Sequence, residues 1–199
     1  MWRLIKWLFL ALVVLGALVV ALLFSKDAVA RAAVEQQFRA QTGMEIQIKK
    51  LSLNVFWPAA TLEQVTLYNP ADFGGVPFLR INQIQVEYDP EALAHRELKL
   101  KLMKLDVAEM AVVRNDRDQT NLLVLAGGPQ PARRSEWFDF KAIDVANISI
   151  QRVHFVDLQN QRNNRQTTWN EHNQIFRDLK SSDEFYRAFV TLWERRLSR

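Results

Sequence analysis

Residues 46–88, IQIKKLSLNVFWPAATLEQVTLYNPADFGGVPFLRINQIQVEY, decide the fold. Apolar side chains recur there at steps of two, three and two: Ile46, Ile48, Leu51, Leu53; then Ala60, Leu62, Val65, Leu67; then Leu79, Ile81, Ile84, Val86. The pattern returns further on as Leu100, Leu102, Leu105, Val107 and as Ile148, Ile150, Val153, Phe155. A helix would scatter each set to about 0°, 200°, 140° and 340°, giving no single face. On a strand, steps of two keep one face, and a single inserted residue at the step of three restores it while bending the chain. The repeats predict bent strands sharing one aliphatic face. Polar residues interleave with them (Gln47, Lys49, Ser52, Thr61, Glu63, Arg80, Gln85), as in a mostly antiparallel sheet with one solvated side. Trp57-Pro58, Asn69-Pro70 with Gly74-Gly75, and Asp89-Pro90 read as turns, with one helical turn over 91–96.

Outward from this core the chain changes character on both sides. Residues 7–24 form an uncharged run of 18, preceded by Arg3 and Lys6 and flanked by Trp2 and Trp7. That length matches the hydrocarbon thickness of a bilayer, and the basic flank places the N-terminus in the cytoplasm. The expectation is an uncleaved single-pass transmembrane helix over 1–25. Ala28-Val29-Ala30 leaves a cleaved signal peptide as the alternative, disfavoured by the length of the apolar run. Residues 27–41 predict a short helix carrying Ala30, Val34 and Phe38 on one stripe and ending at Gly43.

Beyond the strands, residues 126–136 (AGGPQPARRSE) mark an internal break, read as a loop within one sheet. Residues 159–170 read as a polar loop, and Ile175, Phe176 and Leu179 as a helical patch. Ser181 and Glu184 fit a capping box opening a second helix with Phe185, Tyr186, Phe189, Val190, Trp193 and Leu197 on one stripe. The fold class expected is thus α+β: anchor, short helix, bent sheet, then C-terminal amphipathic helices. Three segments follow: 1–25 the anchor, 26–158 the β-rich domain, and 159–199 the loop and helices.

The chemistry of the chain points away from catalysis. There are no cysteines, which excludes thiolate metal sites and cysteine nucleophiles. Phosphate-binding, dinucleotide, HExxH and GxSxG patterns are absent from the sequence. His95, His154 and His172 fall on three different expected elements without carboxylates at metal-ligand spacing, so no enzyme, cofactor or metal site is expected. Lys and Arg total 26 against 22 Asp and Glu, and Arg3 and Lys6 account for half the excess, so nucleic-acid binding gains little support. Lys99, Lys101 and Lys104 read as a solvated strand face, with anionic headgroups as the alternative contact.

Residues 42–93, after the N-terminal anchor and with Thr42-Gly43 before the first strand, Asn69-Pro70 followed by Phe73, and Tyr88-Asp89 closing a strand, resemble the N-terminal region of AsmA-like envelope proteins. Asn121-Leu122-Leu123 after the next hairpin extends the match to about residue 125. The resemblance implies a bacterial inner-membrane protein with a periplasmic β-rich body, related to the repeating β-groove lipid-transfer proteins. It implies lipid handling or outer-membrane assembly, with the membrane, phospholipid and envelope assembly proteins as candidate partners. Five or six strands at about 4.8 Å spacing span only about 25–30 Å, too little to bridge two membranes. Leu67-Tyr68-Asn69-Pro70 also resembles the strand step of water-stress and late-embryogenesis-abundant sandwich domains, whose double sheet would close the aliphatic faces.

If part of the aliphatic face stays open, acyl chains would lie on Ile46, Ile48, Leu62, Leu79, Ile81, Ile84, Leu100, Leu102, Ile148 and Ile150; if helices cover it, it is core. The alternative function is an anchored adaptor that docks a partner through Phe185, Phe189 and Trp193.

Overall fold

The computed structural model describes residues 32, 35–36, 38–39, 44–54, 57–121, 139–181 and 184–185. Six strands form one sheet in chain order: β1 (Ile46–Asn54), β2 (Ala59–Tyr68), β3 (Pro77–Tyr88), β4 (Glu97–Arg114), β5 (Asp139–Asp157) and β6 (Arg165–Leu179). Sequential neighbours pair antiparallel except β4 and β5, which run parallel. The sheet is therefore mixed. A parallel pair cannot be joined by a hairpin, so β4 and β5 are not a hairpin although they are consecutive strands.

The steps of three in the first three strands face one another. Ile48 pairs with Val65 and Val65 with Ile81, while Leu51 pairs with Leu62 and Leu62 with Ile84. Each strand carries one extra residue at the same level, so the sheet bends there without losing register. In β2 the extra residue is Gln64, whose φ of 53° lies in the left-handed region. A β-branched residue is disfavoured there far more than glutamine or glycine. Gln64→Val is expected to lower the thermal midpoint by several degrees, and Gln64→Gly to leave it level or raise it. Equal midpoints for the two variants would show that the bend does not depend on this conformation.

Short connections carry the turn chemistry read from the sequence. Asp89 caps α1 (Pro90–Ala94), its carboxylate accepting from the N–H of Glu91 at 3.0 Å and of Ala92 at 3.3 Å. Gly74 and Gly75, with φ of 73° and 60°, take the chain from a 3-10 turn at Ala71–Phe73 back into β3. At the free edge of β1, the carboxylate of Glu35 accepts the N–H of Ile48 at 2.9 Å, which keeps one edge donor from other chains.

Several expectations need correction. The α+β arrangement with amphipathic C-terminal helices gives way to a mixed six-stranded sheet, and α1 is the only complete α-helix among the described residues. Residues 165–179, expected as loop and helical patch, form edge strand β6. There Trp169 and Leu179 are buried, Phe176 packs against the core and Ile175 is 55% exposed. The physical reason is that an edge strand with one face on the core needs few apolar residues, so its polar remainder reads as loop. Among the described residues no helix is long and apolar enough to cross a membrane. The expected anchor over 1–25 lies outside the described residues, as do the 126–136 break and the continuation of the C-terminal helix past Phe185. Of the expected helix over 27–41, Ala32, Glu35, Gln36, Phe38 and Arg39 are described and helical. Half of the capping box forms: the Ser181 hydroxyl accepts the Glu184 N–H at 3.2 Å, while the Glu184 carboxylate accepts the N–H of Lys180, one residue before the cap.

Candidate acyl-chain site

Cross-strand pairing aligns the aliphatic positions into four rows across five strands. One row is Leu51, Leu62, Ile84, Leu105 and Ile148; the next is Ile48, Val65, Ile81, Val107 and Ile150. These two are flanked by Ile46, Leu67, Leu79, Met110 and Val153 on one side, and by Ala60, Val86, Met103 and Ala146 on the other. Every side chain named in these rows is buried, and all belong to one cluster. From β1 to β5 the strip is about 19 Å wide, and seven residue rises give it a length of about 23 Å.

The structure brings eight of the ten acyl candidates into this strip: Ile46, Ile48, Leu62, Leu79, Ile81, Ile84, Ile148 and Ile150; Leu100 is buried in the same cluster beyond the rows, opposite Tyr88 and Ile143. Leu102 is not among them. It is half-buried on the other face, and Met103, fully buried, takes the place assigned to it. In β4 the step of three falls between Leu100 and Met103, so the apolar frame is offset by one from the repeat. At the end of β5, Phe155 likewise turns away from the core and is 39% exposed.

No part of the strip lies open as a groove. Ile46, Ile81 and Ile150 are 5%, 5% and 1% exposed, and Phe38 and Phe185 share their cluster at 2% and 0%. Phe185, expected as a partner-docking residue, is thus turned into the chain's own core, while Phe189 and Trp193 lie outside the described residues.

The opposite face is a polar lattice. Lys50 meets Glu63 at 2.8 Å, Tyr68 donates to Gln47 at 3.1 Å, and Asp106 accepts from Asn82 at 3.1 Å and Gln151 at 3.2 Å. Glu109 lies between Arg80 and His154. Such half-exposed pairs contribute about 0–1 kcal/mol each, so they set register more than stability. Among the described residues no group of three or more His, Asp or Glu side chains is arranged to hold a metal ion.

At the Asn69 end of the sheet lies a lock that the sequence reading did not assign. β3 stops pairing with β4 at Met110, leaving the next groups of the β4 edge without a strand partner. The Asn121 side-chain amide takes their place: its oxygen accepts the Val113 N–H at 3.0 Å and its nitrogen donates to the Ala111 carbonyl at 2.9 Å. A primary amide has the donor and acceptor of a peptide unit, and it substitutes here for a missing strand. Its nitrogen also donates to the Asn69 side-chain oxygen at 2.8 Å, and Phe73 is fully buried beside this turn. Asn69, Phe73 and Asn121, three residues behind the family resemblance, are therefore structural. The available signal was the pairing of an Asn-Pro turn with an Asn opening an apolar run.

Next to the lock, the buried Asp157 carboxylate accepts from Arg114, from the Asn163 amide at 2.8 Å, and from the N–H groups of Gln159 at 3.0 Å and Asn160 at 3.2 Å. Hydrogen bonds from Asn163 and then Arg114 hold its pKa well below the usual carboxylate range. A depressed carboxylate stabilises the fold fully above its unfolded pKa of about 3.9, and that contribution is lost as pH falls below it toward the folded value. The urea midpoint is expected to drop between pH 5 and pH 3, and Asp157→Asn to flatten that slope. An identical acid limb in the variant would exclude Asp157 as its source.

Comparison with protein-family models, with curated proteins and with solved structures gave no match for this chain.

Proposed function

We propose that this protein is a membrane-held, non-catalytic module of the bacterial cell envelope that handles lipid, with its aliphatic strip as the acyl-chain site in a covered state. The buried strip carries the reading: three rows across five strands and a fourth across four, every named residue aliphatic or Met. Its length of about 23 Å exceeds the depth of one bilayer leaflet, about 15 Å, so a whole acyl chain fits along it. Each methylene moved there from water gains about 0.8 kcal/mol, an affinity that needs no motif. The uncharged run at 7–24 supports placement at a membrane, and the resemblance of residues 42–93 to AsmA-like proteins supports the inner membrane and periplasm. Because the strip is buried, with Phe38 and Phe185 in the same cluster, lipid enters only as that cover opens.

The test is photolabelling of the full chain with a diazirine-bearing phospholipid in vesicles, followed by peptide mapping. Labels on peptides containing Ile81, Leu105 and Ile148 are expected. Labels confined to residues 1–25 would overturn the acyl site.

A further inference from the structure

Trp57 is 60% exposed, the most exposed of the large apolar side chains described. Its position is built rather than loose. The Trp57 N–H donates to the Asn54 side chain at 3.1 Å, and the Pro58 carbonyl accepts the Tyr88 N–H at 2.9 Å, tying the turn to β3. The large exposed side chains at the other end of the sheet are less free: Phe155 and Leu158 are 39% and 41% exposed, and Leu158 packs near Gly74.

The direction of the chain distinguishes the two ends. Arg39 reaches Glu45 at 3.9 Å, and Glu35 takes the N–H of Ile48. The order 39 to 35 thus follows 45 to 48, so the described helical residues run opposite to β1, with Glu35 rather than Arg39 toward the Asn54–Trp57 end. The uncharged segment closes at Phe24, eleven residues before Glu35, which limits its distance from Glu35 to about 38 Å even if fully extended. β6 also finishes at this end, where Leu179 pairs with Ile143, and Phe185 follows it.

We infer that the Trp57 end of the sheet faces the bilayer and that Trp57 itself sits in the headgroup layer as an interfacial anchor. The occupant of this surface is a phospholipid membrane. An indole suits that layer because its apolar ring and its N–H are satisfied together at the boundary. Arg96, Lys99 and Lys101 lie at the same end, with Asp89 close to the two lysines. The surface is therefore mixed in charge, and the aromatic ring rather than a basic patch carries the contact. The inference rests on the membrane-held reading above and adds an orientation: the Trp57 end of the covered strip lies toward the bilayer.

The chain contains no cysteine, so single-site labelling needs no background removal. The full chain carrying Trp57→Cys, and separately Leu158→Cys, would be labelled with an environment-sensitive fluorophore. It would be reconstituted into vesicles of phosphatidylethanolamine and phosphatidylglycerol. Expected are a blue shift at position 57 and at least twofold stronger quenching there by a shallow nitroxide lipid. Position 158, about 40 Å away along the sheet, should report water. Flotation of the same samples separates the two claims. A chain that floats with position 57 in water overturns the orientation alone; a chain that does not float overturns the membrane-held reading and the orientation together.

Discussion

Asn121→Ala is expected to cost about 3–5 kcal/mol of unfolding free energy. Asn121 is fully buried, and the substitution deletes three hydrogen bonds at once, to Val113, Ala111 and Asn69. Each buried group left without a partner costs about 1–3 kcal/mol, and two of the three belong to the backbone, which cannot be repacked away. For a domain of this size the thermal midpoint should fall by about 10 °C. Asn69→Ala should cost much less. It removes one of the three bonds, and the Asn69 amide nitrogen already lacks a hydrogen-bond partner in the native fold. Asn121→Asp should resemble Asn121→Ala, since a carboxylate keeps the bond from Val113 but faces two oxygens, those of Ala111 and Asn69, with no proton to offer. Urea unfolding of the three variants checks this order. An Asn121→Ala chain within 1 kcal/mol of the parent would show that β4 does not need the amide surrogate.

The first three strands were readable because their inserted residues oppose one another, so the spacing written in each strand is also the spacing of its neighbour. That coincidence ends at β4. Leu102 and Met103 are adjacent and both apolar, and only the cross-strand partner Val86 decides that Met103 faces inward. Phe155 misleads in the same way, since an aromatic at a strand end reads as core whether or not anything covers it. β6 was hidden by its position. Three of its residues, Asn170, Asn173 and Asp178, have positive φ, and the bulged, polar edge that results resists pairing with other chains while looking like a loop. The parallel join of β4 to β5 depends on where a long connection returns, which local spacing does not encode. Burial of the strip was open at the sequence level for a related reason. Alternation shows which side chains share a face, whereas whether that face is covered depends on residues far along the chain; Phe38 before the sheet and Phe185 after it join its cluster.

That cover is where stability and function meet, and Phe185→Ala separates them. Phe185 is fully buried in the core cluster, and its N–H donates to the Ser181 carbonyl at 3.2 Å in the capped turn after β6. Truncating it removes a large buried ring and leaves a cavity against the strip, with an expected loss of about 3–4 kcal/mol. If the strip is an acyl site, the same cavity lowers the cost of exposing it, and photolabelling of the Ile81, Leu105 and Ile148 peptides should rise several-fold. General loosening could raise labelling too, which makes Asn121→Ala the matched control. It weakens the fold by a similar amount through the lock at the opposite end, and it leaves Phe38 and Phe185 in place. Labelling that increases in Phe185→Ala but not in Asn121→Ala identifies the ring as the stopper of a lipid site. Equal labelling in both, or none in either, would make Phe185 an ordinary core residue and reduce the aliphatic strip to the interior of a closed sheet domain.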